Sequence, residues 1–208
     1  TYAGESNLKR VALELGGKSP QIVFADAEDL DAAADAAAWG IFFNQGEICN
    51  AASRLLVEAS IKDDFLERVL KRSKQYAPGD PLDPASVAGA LVSEGQMKRV
   101  LGYIDTARKE GANLALGGSR VRQDTGGFYV EPTVFHRLDN SHTLAREEVF
   151  GPVLGVLGFT NEDDAVRIAN DTVYGLASGL WTANISRAHR VARKLRTGLV
   201  WINGWDAC

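Results

Sequence analysis

Short, continuous apolar runs alternate with helix-patterned segments along almost the whole chain, and this alternation limits the fold more than any other feature. Residues 10–15 (RVALEL), 21–24 (QIVF), 54–58 (RLLVE), 113–116 (NLAL), 153–159 (VLGVLGF), 176–181 (LASGLW) and 198–202 (GLVWI) read as strands. Runs apolar at nearly every position suit strands buried on both faces. Between them, residues 29–44 carry Ala32, Ala33, Ala36, Ala37 and Ile41 at helical spacing, ended by Gly46. Ser60, with Asp63 in the capping-box position, opens a second helix to about Tyr76. Pro78, Gly79, Pro81 and Pro84 mark a loop. Residues 93–110 form a long amphipathic helix with Met97, Leu101 and Ile104 on one face; Thr160 with Asp163 starts a helix to Asn170; residues 185–195 form another. Residues 126–135 look extended and are broken at Pro132. Helices alternating with apolar strands predict an α/β domain with a largely parallel sheet.

A length of 208 residues with 45% hydrophobic and 24% charged residues suits one domain, or one with part of another. Net charge is −4 with both signs interspersed, which favours neither nucleic acid nor an acidic membrane as partner. No apolar run has the length of a membrane span, and TYAGESNLKR lacks the pattern of a signal peptide. Cys49 and Cys208 are too far apart to suggest a disulfide framework, and a reducing, cytoplasmic setting is expected. Gly17-Lys18-Ser19 is not a P-loop, because Ala12 stands where its first Gly belongs. G-x-G-x-x-G is absent, so the dinucleotide-gripping loop is not in this stretch. His136, His142 and His189 lack metal-ligand spacing, and no metal site is expected. The basic run from Arg187 to Arg196 reads as the solvated face of a helix.

Two residues suggest chemistry. Cys49 ends FFNQGEIC and Glu14 lies in LELGGK, each beside a Gly turn. A cysteine nucleophile paired with a carboxylate base is one reading. A lone Cys is more often a small buried hydrophobe, and a Glu at a strand end a solvated charge. LELGGKSP followed by FFNQGEIC, and later EEVFGP at residues 147–152, resembles the aldehyde dehydrogenase superfamily, and the resemblance runs across the whole chain.

The resemblance implies a three-layer α/β/α catalytic domain with a largely parallel twisted sheet. It implies that Cys49 attacks an aldehyde carbonyl, that Glu14 activates the water that hydrolyses the resulting thioester, and that NAD or NADP takes the hydride. Glu148 is then expected on the nicotinamide ribose and Phe150 near the nicotinamide ring, with Leu15, Gly16 and Gln96 also on the cofactor surface. Ile48 and Asn50 are expected to line the aldehyde tunnel, with Trp205, Asp206 and Cys208 at its mouth. Family members that pass the acyl group to coenzyme A generally lack the base, so Glu14 favours release of the free acid. The wording of NQGEIC, SRLLVE and YVEPTVF is most similar to dehydrogenases of amino- and guanidino-butyraldehydes, and Asp206 would attract a cationic aldehyde. Residues 1–17 are expected to be the end of a cofactor-binding domain and residues 18–208 a C-terminally truncated catalytic domain, within a longer homodimeric or homotetrameric enzyme; the isolated piece is then expected to be inactive as a dehydrogenase. Two other classes stay open: a non-catalytic folded module that binds partners, and a cysteine esterase or thioesterase that needs no nucleotide.

Overall fold

A computed structural model describes residues 1–206. The strands are β1 (Pro20–Val23), β2 (Arg54–Glu58), β3 (Asn113–Leu116), β4 (Arg120–Val121), β5 (Tyr129–Val130), β6 (Thr133–Leu138), β7 (Val153–Phe159), β8 (Ala177–Trp181) and β9 (Leu199–Ile202). Seven of them form one sheet in the order β3-β6-β7-β2-β1-β8-β9, and β4 and β5 make a separate small ribbon. Every pairing in the large sheet is parallel except that of the edge strand β3 with β6.

The continuous apolar runs are explained by helices on both faces. On one face α1 (Leu30–Phe42) and α2 (Lys62–Ser73) pack on Val23, Leu55, Val57, Leu154 and Val156. On the other, α3 (Glu94–Lys109), α4 (Thr143–Arg146), α5 (Glu162–Asn170) and α6 (Ile185–Lys194) pack on Ile22, Leu56, Phe135, Leu157 and Leu180. Neighbouring residues of one strand thus serve opposite cores, giving the three-layer α/β/α arrangement. The alanines Ala33, Ala34, Ala37 and Ala38 keep α1 slender where it lies on the sheet.

Several local expectations are corrected. Residues 10–15 form no strand: no ladder partner exists for them among the described residues, and Val11, Leu13 and Leu15 are exposed. Ser60 caps nothing; it lies in a short 3₁₀ turn, and α2 starts behind Ile61 without a side-chain cap, its first turn carrying Asp63 and Asp64 in favourable positions for the helix dipole. The cap of α5 is Asn161, whose Oδ1 accepts from the Asp164 N–H at 3.0 Å, and Asp164 in return accepts from the Thr160 N–H. Ser93 does cap α3, accepting from the Gln96 N–H at 3.2 Å. Pro132 separates β5 from β6. Helix α1 ends at Phe42, two residues early, because Asn44 and Gln45 turn left-handed with φ of 47° and 58°. Among the described residues no helix is long and apolar enough to cross a membrane.

Candidate active site

The site forms along one edge of the sheet. Residues 16–19 lead into β1, residues 49–53 into β2, residues 148–152 into β7 and residues 174–176 into β8. These strands are parallel neighbours, so their entries lie side by side. Ligands of open parallel sheets usually gather at the carboxyl ends of the strands. Here the motif residues gather at the amino ends.

Close approaches at glycines join the three motif segments, and those at Gly17 and Gly46 are to backbone that cannot give way. A Cβ on Gly17 would lie 2.5 Å from the carbonyl oxygen of Cys49. One on Gly16 would run into the Glu148 carboxylate, and one on Gly46 into the carbonyl of Gly151. Gly46 also sits at φ +71°, a conformation glycine adopts at little cost. The Gly17 N–H donates to Glu148 Oε1 at 3.1 Å. Between these segments Gly17, Ile41, Gly46, Ile48, Glu148 and Phe150 border a cavity of about 10 Å³, room for roughly one water. A wider groove of about 620 Å³ lies beside it, between Leu15 and Gly16 on one side and Val173–Leu176 with Gly198 on the other.

Cys49 is a free thiol and partly buried. Its turn is built from Asn44, whose Nδ2 donates to the Glu47 carbonyl at 3.1 Å, and from the Ala51 N–H bonded to the Ile48 carbonyl at 3.2 Å. Asn50 Nδ2 donates to Asp206 Oδ1 at 3.1 Å, so these two expected tunnel residues meet and the Asp206 carboxylate already has a partner. Trp205 is buried against Gly40 and Gly179 and tilts over Trp201. Cys208 lies outside the described residues. Glu14 is exposed on the unpaired segment.

The 147–150 loop hangs from one face of α3. Gln96 Nε2 donates to the Val149 and Phe150 carbonyls at 3.1 and 2.6 Å, Arg99 Nη2 to the Glu148 carbonyl at 3.0 Å, and the Tyr103 hydroxyl to Glu147 Oε2 at 2.7 Å. These residues are spaced i, i+3 and i+7, which brings them to one helix face. The donor of Gln96 is thus spent on the loop. Phe150, 39% exposed, is held at φ +57°, a conformation that persists in a bulky residue only when its surroundings impose it.

Two buried cations at the same edge were not foreseen as site residues. Arg54 is fully buried and donates to the carbonyls of Lys18, Ile168 and Ala169 at 3.0, 3.1 and 2.8 Å. Burial lowers its pKa to about 10. Lys18 is buried with no hydrogen-bond partner on Nζ. Burial, reinforced by the Arg54 charge and opposed by Glu148 and Glu147, holds its ammonium down at about 7. A sequence signal existed for Arg54: a charged residue opening an otherwise apolar strand must find a buried partner or water. Among the described residues no group of three His, Cys, Asp or Glu side chains is arranged to hold a metal ion.

The family model described as "Aldehyde dehydrogenase family" matches residues 1–208. "Aldehyde dehydrogenase, cytosolic 1" of Mus musculus is 49% identical over 201 residues, covering 97% of this chain and 40% of that protein. A solved structure of a mutant of the P. syringae indole-3-acetaldehyde dehydrogenase AldA, in complex with NAD+ and IAA, superposes with a TM-score of 0.95 at 58% identity over 100% of this chain and 42% of its own. The gamma-glutamyl-gamma-aminobutyraldehyde dehydrogenase of Burkholderia cenocepacia gives 0.94 at 55% identity, with 100% and 42% coverage. The chain therefore spans about two fifths of the length of these relatives.

Proposed function

The chain belongs to the aldehyde dehydrogenase family, and on that premise we propose that it carries the catalytic residues of an enzyme that oxidises an aldehyde to its carboxylic acid with NAD(P)+. The meeting of the Cys49 turn, the Gly16-Gly17 turn and the Glu148 loop at one sheet edge is the observation that supports this most. The Cys49 thiolate adds to the aldehyde carbon, forming a C–S bond and an alkoxide. The backbone N–H of Cys49 donates to that oxygen, a fixed dipole aimed at developing charge. NAD(P)+, when bound, supplies the acceptor for the hydride that leaves this carbon, and the carbon stays on Cys49 as a thioester. Glu14 takes a proton from water as its oxygen attacks the thioester, the C–S bond breaks, and the acid leaves.

The residues present suit the nicotinamide end of the cofactor. Glu148 has one oxygen on Gly17 and keeps the other for a ribose hydroxyl, and the exposed Phe150 ring offers an apolar face to a nicotinamide. Leu15 and Gly16 border the open groove, and Gln96 keeps its amide oxygen as an acceptor. Residues 1–17 are assigned to the cofactor-binding side and residues 18–208 to the catalytic domain. Their different character supports this division: residues 1–16 are largely exposed and without regular structure, and the buried Gly17 joins them to a packed α/β unit.

Amino- and guanidino-butyraldehydes are the substrate class we favour, supported by the likeness to an aminobutyraldehyde-type dehydrogenase. Ile48, Asn50, Trp205, Asp206 and Cys208 are assigned to the aldehyde's path, with the Asn50–Asp206 pair presenting the carboxylate to a cationic tail. A reducing cytoplasm would preserve the thiol, and a homodimer or homotetramer is the assembly we expect. In the enzyme that carries this chain, Cys49→Ala should abolish NADH formation from aldehyde; NADH formation surviving in that variant would overturn the assignment.

A further inference from the structure

The turn that carries Cys49 has only a short stretch of its own backbone bonding, yet it holds two left-handed non-glycine residues in succession, Asn44 and Gln45. A left-handed residue other than glycine is costly, roughly 1 kcal/mol or more, and needs outside contacts to persist. For Gln45 those contacts come from the 88–92 segment, and Glu47 adds another, while Asn44 is held within the turn by its own bond to the Glu47 carbonyl. The Gly89 N–H donates to Gln45 Oε1 at 3.0 Å, and Gln45 Nε2 donates to the Ala90 carbonyl at 3.3 Å. One side-chain amide thereby pairs with a donor and an acceptor of neighbouring residues, as a strand neighbour would. The Val92 N–H donates to Glu47 Oε1 at 3.2 Å. Gly46, between the two gripping residues, is wedged against the Gly151 carbonyl on the opposite side.

The gripped segment is itself fixed. The Gly79 N–H donates to the Ala88 carbonyl and the Leu91 N–H to the Phe128 carbonyl, both at 2.9 Å. The buried side chains of Ala88 and Leu91 belong to opposite core layers. The segment is therefore an anchored strap, and Gln45 and Glu47 transmit its position to a thiol a few residues away.

We propose that Gln45 and Glu47 are positioning residues for Cys49, holding the nucleophile turn against the 88–92 strap. The proposal rests on the reading of Cys49 as the nucleophile. It gives the Gln of NQGEIC a physical task, pairing its amide with two backbone groups, and gives the Glu a task that any acceptor of its length can perform.

The test is the rate at which iodoacetamide alkylates Cys49 in the folded chain, resolved by peptide mass spectrometry and read beside the thermal midpoint. Gln45→Ala removes two side chain–backbone bonds and Glu47→Ala one, so each should speed alkylation about threefold or more, the factor by which losing a single such bond favours turn opening. The midpoint should shift by only a few degrees. Glu47→Gln keeps an acceptor for Val92 and should restore the original rate. In the enzyme carrying this chain, both alanine variants should lower kcat while the KM for NAD+ stays put. Alkylation at the original rate in both alanine variants, or failure of Glu47→Gln to rescue, overturns the proposal. Should Gln45→Ala not fold, the Glu47 pair decides alone. Failure of the underlying reading looks different: Cys49→Ala would still oxidise aldehyde, whatever the alkylation rates.

Discussion

Glu14 stands exposed two residues before Gly16, whose backbone lies against the Glu148 carboxylate. It is close in sequence to the site and exposed, and the role proposed for its carboxylate comes only after hydride has left. Glu14→Gln should therefore leave the first hydride transfer intact and stall hydrolysis of the thioester: rapid mixing should show a burst of NADH and then almost no steady state. Unchanged turnover would assign the water to another base. Lys18 makes a second residue-scale prediction. Its ammonium is buried without a hydrogen-bond partner and titrates at about 7 rather than 10.5. Between those values the unfolded chain holds a proton that the folded one has released, so stability rises with pH across that window. Below about pH 7 the folded protein carries the whole cost of the buried charge. Lys18→Met should thus stabilise the chain by about 1–4 kcal/mol at pH 6, with the gain fading towards pH 9. Denaturant titrations at both pH values check this, and a gain that grows with pH would contradict it.

At the scale of elements, Arg54 joins three pieces of chain. Its guanidinium opens β2, bonds the Lys18 carbonyl ahead of β1, and closes the last turn of α5 through Ile168 and Ala169. A cation at a helix C-terminus is favoured by the helix dipole as well as by the bonds. Arg54→Met would remove the guanidinium donor from the Lys18 and Ala169 carbonyls and leave the Ile168 carbonyl with Asn140 Nδ2 alone, and we expect a loss of about 3 kcal/mol or more, read as a lower denaturation midpoint. A loss below about 1 kcal/mol would mean that water replaces the guanidinium easily. Helices α5 and α6 are joined differently. Arg190 makes a two-pronged pair with Glu162 at 2.8 and 2.6 Å, and Lys194 reaches Asp163 at 2.9 Å. Arg190 and Lys194 of the basic run are therefore paired with α5, although exposed pairs of this kind add little stability each.

For the whole molecule, the first 15 residues are the exception to an otherwise packed unit. Leu8, Val11, Leu13 and Leu15 are all more than half exposed. Val11, Leu13 and Leu15 alternate with other residues, so an extended conformation would place all three on one face. Such a segment is a template for pairing with another chain. The 208-residue chain should self-associate, and sedimentation should show species heavier than a monomer; deleting residues 1–15 should restore the monomer. A monomeric intact chain would show the segment to be innocuous. The periodicity of apolar residues determined most of this fold by itself, since two-sided burial leaves a mark on the central strands and one-sided burial a mark on the helices. It failed at residues 10–15, where a strand pattern is present and no ladder partner for it lies among the described residues. The motif wording marked Cys49, Glu14 and Glu148 through the family resemblance it carries; the residues alone offered Cys49 and Glu14 as a pair beside Gly turns and left Glu148 a surface carboxylate. Only the tertiary structure decided that their loops enter adjacent parallel strands at the amino edge of the sheet. Only it showed that Gln45, Glu47, Gln96 and Arg54 spend their polar groups on main-chain partners 36 to 115 residues away. A hydrogen bond between a side chain and a distant carbonyl leaves no periodic trace in sequence, because any residue can supply the backbone half of it.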